Sequence, residues 1–133
     1  MANTIITKPW GSETILSETD LPYTFKLLKI NAGKKLSLQY HDLKLETLTL
    51  ISGQTQIIWG QSETQLKTEE MVVGMGYTIR PNIIHRFVAI TDSLLAEAST
   101  GEVGTTHRLQ DDANRPDETE ELRSQPNRGW SNS

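Results

Sequence analysis

Four side chains have the types and intervals to hold a divalent metal ion: Gln39, His41, Glu46 and His85. In "LSLQYHD" the side chains of Ser37, Gln39 and His41 share one face, because neighbours on a strand alternate sides. Glu46 opens the next apolar run on the same face as Leu48 and Leu50, so it can meet Gln39 and His41 across the bend between them. His85 follows a Pro-Asn turn in "RPNIIHRF" and starts a later strand. Two imidazoles, a carboxylate and an amide oxygen suit Zn, Mn, Fe or Ni better than Ca or Mg. With no cysteine in the chain, Cu(I) has no thiolate to bind, and disulfides and cysteine nucleophiles are excluded. Three histidines in 133 residues is an ordinary number, however, and a lone histidine on a strand is more often simply hydrogen-bonded or solvated.

The elements that must position these groups read as short strands. Strands are expected near "ETILSE", "TFKLLKI", "KLSLQYHD", "LETLTLISG", "TQIIWG", "TQLKTE", "GYTIR", "HRFVAI" and "LLAEAS", about one per ten residues. Turn signals separate them at Asn31-Ala32-Gly33, Ser52-Gly53, Trp59-Gly60-Gln61 and Gly74-Met75-Gly76. This regular spacing predicts an all-β sandwich or barrel over residues 1–100. Residues 101–133 are polar and form an extension packed on the barrel or trailing from it, with one short helix in "RPDETEELRSQ" entered at Pro116. Trp130 is expected to anchor that extension onto this chain or a partner, while Trp10 and Trp59 are expected in the core, at a strand edge or at an interface. Leu36, Leu38 and Tyr40 should face away from the ligands and need a cover: a second sheet layer, the N-terminal segment or a twofold-related subunit.

Bulk properties narrow the function classes. A net charge of −4 and a pI near 5.3 argue against a nucleic-acid binder. The start lacks the charged and apolar regions of a signal peptide, and no apolar stretch is long enough to span a membrane. A soluble, cytoplasmic protein is the expectation.

The intervals themselves carry a more specific signal. Gly33, five residues, Gln39, one residue, His41, four residues, Glu46, six residues, Gly53 is a string that resembles the first motif of the cupin superfamily, with Gln39 replacing the first histidine. Gly74 followed by five residues and then "RPNIIH" resembles the second motif, with Arg80 at the proline position and Asn82 at the glycine position, where a left-handed backbone suits asparagine. "KPWGSETIL", "GKKLSLQYH" and "HRF" are similar to the C-terminal cupin domain of type II mannose-6-phosphate isomerases over about residues 8 to 115. That resemblance implies a cupin double-stranded β-helix (a jelly-roll barrel), with Gln39, His41, Glu46 and His85 as the metal ligands. The family's histidine run after the first ligand is replaced by Asp42-Leu43-Lys44, and its His-Trp after the glutamate by Thr47-Leu48. In the tail Gly101, Glu102, Arg108, Asp111 and Arg115 are kept, but the acids between them are not.

The resemblance further implies a metal-dependent isomerisation of a small phosphorylated or nucleotide-linked sugar. Such a reaction needs an acid/base group, for which Glu97, His107 and Asp111 are candidates, and cations for the phosphate. Those cations are sought among Lys26, Lys44, Arg86 and Arg108. Arg86 follows His85 directly, so it is the preferred phosphate contact, although strand parity points it to the opposite face. Lys44 competes with a solvated loop cation, and Arg108 with packing against Asp111 or Asp112. Two other classes remain open: a non-catalytic cupin that binds or senses a small polar ligand, and another metal-dependent cupin enzyme such as a dioxygenase. No nucleotidyltransferase part is present in these residues, so guanylyltransferase activity is not expected. A homodimer is expected.

Overall fold

The computed structural model describes residues 3–130. Eleven strands form two antiparallel sheets: β1 (Thr4–Lys8), β2 (Gly11–Ile15), β3 (Tyr23–Ile30), β4 (Leu38–His41), β5 (Glu46–Ser52), β6 (Thr55–Gly60), β7 (Lys67–Glu70), β8 (Gly76–Ile79), β9 (Ile84–Ala89), β10 (Ser93–Thr100) and β11 (Thr106–Gln110). The six-stranded sheet runs β1-β2-β3-β10-β5-β8 and the five-stranded sheet β11-β4-β9-β6-β7. All nine expected strands are present. Two more were not expected: β1, and β11 in the segment after Thr100. The expected helix is shorter and later than "RPDETEELRSQ" implied. It is α1 (Glu120–Arg123), capped by the Thr119 side chain, which accepts from Leu122 N, and a 3-10 turn at Pro126–Gly129 follows it. Pro116 lies outside the helix, in an extended segment where Arg108 binds its carbonyl.

Alternation divides the barrel interior into two ends. On β3 the inward residues run from Thr24 and Lys26 to Leu28 and Ile30, and on β10 from Ser99 and Glu97 to Leu95. One end is therefore apolar, built from Leu28, Ile30, Leu50, Ile57, Ile79, Phe87 and Leu95, each at most 2% exposed. The other end collects charged side chains. Trp10 belongs to the apolar core, and Trp59 packs partly buried against it.

Leu36 corrects the expected two-faced strand. The chain pairs Lys35 with Val88 but Gln39 with His85, so one extra residue is accommodated between them as a bulge. The bulge turns Leu36 into the core while Gln39 and His41 still reach the interior. Leu38 is buried within the single chain and Tyr40 is covered by the His107 ring, stacked at 4.7 Å between centroids. The apolar outer face expected there is thus already closed.

The turn into β9 places Asn82 at φ 70, the left-handed backbone that its place in the motif called for. Gly11 carries a heavier constraint. Its φ is +152 and a Cβ there would lie 1.9 Å from the Lys29 carbonyl oxygen, so the β1–β2 turn can press against β3 only with glycine at this position.

Candidate metal centre

His41 ends β4, Glu46 begins β5 and His85 sits at the second position of β9, so three strands each deliver one ligand to the charged end of the barrel. Glu46 Oε1 lies 3.4 Å from His41 Nε2 and 3.2 Å from His85 Nε2. One ligand atom from each of the three falls within 4.8 Å of the others, and all three residues are buried. Two imidazoles and one carboxylate at this spacing fit a borderline divalent ion.

The imidazoles are held in the orientation a metal needs. His85 Nδ1 lies 3.0 Å from the Ile83 carbonyl, which only accepts, so Nδ1 carries a proton and Nε2 is the nitrogen turned to Glu46. His41 Nδ1 is 2.8 Å from Thr106 Oγ1 on β11, which fixes its ring in the same sense. Burial pushes the His41 imidazole down to about 4 against the attraction of Glu46, so at neutral pH it is uncharged, the form a metal requires.

Gln39 completes the ring with its amide nitrogen 3.5 Å from His41 Nε2, while its Oε1 accepts from Ser37 Oγ at 2.5 Å. Rotating the amide by half a turn presents the oxygen instead. Ser37 loses nothing, since a hydroxyl can accept from Nε2 as readily as it donates to Oε1.

Around the ligands stands a network of charges. Lys44 is buried, with Nζ 3.1 Å from Glu46 Oε2 and 2.9 Å from Glu97 Oε2. Burial opposes its charge, but Glu97 and Glu46 outweigh this and hold the ammonium well above the usual lysine range. Burial also works against the Glu46 charge, yet Lys44 and His41 keep that carboxyl well below its ordinary value. At Glu97 burial prevails and the carboxyl is raised. Lys26 binds Glu13 at 2.8 Å and also contacts Glu102.

The other candidates are placed as follows. Arg108 lines the cavity, donating from Nη1 to the Pro116 carbonyl at 2.6 Å and lying 3.4 Å from Glu118. Arg86 points to the opposite face of β9, with Nε donating to the Leu36 carbonyl at 3.0 Å, and does not line the cavity. His107 lies outside it as well, between Asp42 and Asp117. Asp111 forms a two-bond pair with Arg115.

Lys8, Glu13, Glu102, Glu118, Arg123 and Arg128 line the same cavity and were not singled out as site residues from the sequence. Glu13 carried a usable signal. It has the strand parity of Ile15, just as Lys26 has that of Leu28 and Ile30, so a charge in step with apolar neighbours marked the inward face. Glu118, Arg123 and Arg128 lie on a segment without strand periodicity and gave no such signal.

Comparison with known proteins agrees with this architecture. Three solved structures share the fold at low identity. The capsular polysaccharide assembling protein CapF from Staphylococcus aureus is 17% identical, with a TM-score of 0.69 over 83% of this chain and 32% of its own. Oxalate decarboxylase from Bacillus subtilis is 13% identical, with a TM-score of 0.69 over 80% and 30%. Recombinant oxalate oxidase in complex with glycolate is 14% identical, with a TM-score of 0.62 over 74% and 55%. The chain therefore spans about a third of the first two and about half of the third. No curated protein matches it by sequence. No helix among the described residues is long and apolar enough to cross a membrane. The family described as "Mannose-6-phosphate isomerase C-terminal" matches residues 2–96, so the chain belongs to that family and is a cupin.

Proposed function

We propose that the protein is a metal-dependent cupin acting on a small phosphorylated or nucleotide-linked sugar, in the manner of a mannose-6-phosphate isomerase. The observation that carries this reading is the buried His41–Glu46–His85 cluster, set among cations in a chain of that family. A divalent ion held there, with Gln39 as a fourth ligand, supplies Lewis-acid stabilisation of negative charge on a sugar oxygen. Glu97 is the acid/base group best supported, because burial keeps its carboxyl raised and Lys44 Nζ touches it. Lys26, Lys44 and Arg108 line the cavity, each paired with a carboxylate that an incoming anionic group would displace; Arg86 and His107 are not on its wall.

Elemental analysis of the purified protein beside a His41→Ala, His85→Ala double variant tests the metal. Metal in the native protein alone is the expected result, and equal, negligible metal in both would sink the reading. Interconversion of mannose 6-phosphate and fructose 6-phosphate is then the assay. One observation favours the non-catalytic alternative: the cavity at the ligands measures only about 60 Å³. A metal-loaded protein that is heat-stabilised by a sugar phosphate yet turns none over would decide for that alternative. The proposal includes a homodimer. For it, the outer face of the six-stranded sheet offers Tyr23 and Phe25 beside uncharged Thr47, Ala96 and Ala98. Sedimentation at the 14.9 kDa of a single chain across micromolar concentrations would reject it.

A further inference from the structure

The cavity at the metal ligands holds about two waters by volume, far short of the roughly 300–1,000 Å³ of a small-molecule site. A second cavity of about 320 Å³ lies next to it, lined by the strap of residues 116–130 and by Lys8, Arg108 and Arg115. Both cavities are lined by Lys8, Arg108, Arg115, Glu118 and Arg128, so these five side chains form the partition between them. If the partition parts, the two spaces join into one of ordinary ligand size.

Glu118 is the centre of that partition. Its carboxylate receives Arg123 Nε at 2.9 Å and Arg128 Nη1 at 3.0 Å, and Arg108 Nη2 lies 3.4 Å away. The Arg108, Glu118 and Arg128 side chains are 7%, 7% and 9% exposed. Arg108 Nε is buried with no hydrogen-bond partner among the described residues. Three guanidiniums offer more donors than one carboxylate can use, whereas a tetrahedral oxyanion has more acceptor oxygens and a second charge. Glu102 also shares Arg123 and Arg128, so the cradle is not short of negative charge when closed. The misfit is in donors and geometry.

The closed strap carries backbone strain near its end. Asn127 and Arg128 both have left-handed backbone, at φ 48 and 56, which non-glycine residues rarely adopt. The strap also reaches the metal ligands: Glu118 pairs through both backbone groups with Thr106, whose Oγ1 holds His41 Nδ1.

We propose that Glu118 stands in for an external oxyanion, and that the start of the strap, which carries it, closes the metal cavity until a phosphate-type group takes its place between Arg108 and, from the rest of the strap, Arg123 and Arg128. The inference deepens the sugar-phosphate reading and rests on it for the existence of such a ligand. Its test uses inorganic phosphate and reads the strap, so a failure of turnover leaves it standing.

The experiment is calorimetric titration of the full chain with inorganic phosphate at constant ionic strength, with sulfate and acetate as parallel arms, combined with hydrogen exchange over residues 116–130. Phosphate is expected to bind and to raise exchange in the strap while the sheets stay protected. Glu118→Gln is expected to bind phosphate about tenfold more tightly, and Arg128→Gln to lose the binding. If Glu118→Gln does not fold, Glu118→Asp should show a smaller gain of the same sign. No phosphate binding by either protein, binding with unchanged strap exchange, or equal affinity in native and Glu118 variants would overturn the proposal. Acetate binding as tightly as phosphate would overturn the tetrahedral preference.

Discussion

Each histidine of the candidate metal site has one nitrogen aimed at Glu46 and the other given a hydrogen-bond partner, and these partners hold the cluster in shape. Thr106 is the more informative of the two, because a side chain rather than a backbone carbonyl orients His41. Thr106→Val keeps the shape and removes the hydroxyl. It is expected to weaken zinc binding about 10–100-fold with an unchanged far-ultraviolet circular dichroism spectrum, measured by calorimetry. Unchanged affinity would show that the ring is held by packing alone. At this scale the sequence was informative: the intervals from Gly33 to Gly53, and the spacing of His85 from Gly74, grouped the residues that the fold gathers into a candidate metal cluster. It could not show which end of the Gln39 amide faces inward, since the neighbouring Ser37 hydroxyl pairs with either end.

Among the elements, period-2 alternation made nine strands legible and hid two. β11 is the edge strand of its sheet and buries only Thr106 fully, so its residues have no apolar face to betray it. β1 pairs only with β2 and is likewise an edge strand with just two buried residues, Ile6 and Lys8. Alternation also misleads on β3, where Phe25 is 40% exposed and Lys26 is 2% exposed, the reverse of what their chemistry suggests. The inversion is sustained because Glu13, Glu97 and Glu102 surround the Lys26 ammonium and raise its pKa in spite of burial. The bulge before Gln39 was invisible for a similar reason: which residue is extra depends on pairing with β9, not on local composition. The β1–β2 turn gives the sharpest element-scale prediction. Gly11→Ala must displace the Lys29 carbonyl and is expected to cost more than about 1 kcal/mol, read as a lower midpoint in urea. An unchanged midpoint would mean that the turn is free to lift off β3.

For the whole molecule, the strap is held by acids whose protonation has a defined window. Burial alone would raise the Glu102 and Glu118 carboxyls, but Lys26 and Arg128 hold Glu102, and Lys8 and Arg128 hold Glu118, down at about 2. A carboxylate with a lowered pKa contributes stability that is whole above its ordinary value of 4.5 and is lost as the pH falls towards 2. Limited digestion with pepsin across this range should therefore cut within residues 116–130 before it cuts the sheets. Cleavage spread evenly over the chain at pH 4 would show that the ion pairs are not what fastens the strap. Salt should matter much less than acid, because pairs this buried are only weakly screened.

The position of β11 has a practical consequence for handling the protein. The family match stops at residue 96, and a piece trimmed to that match, or to Thr100, would still contain every candidate metal ligand. It would lack the strand that covers β4. The backbone of Leu38–His41 would then become an open sheet edge presenting unpaired amides to any other chain. Such a piece is expected to self-associate by edge-to-edge pairing through the very strand that carries Gln39 and His41. Its insolubility would be a consequence of where the cut was made, and would say nothing about the metal.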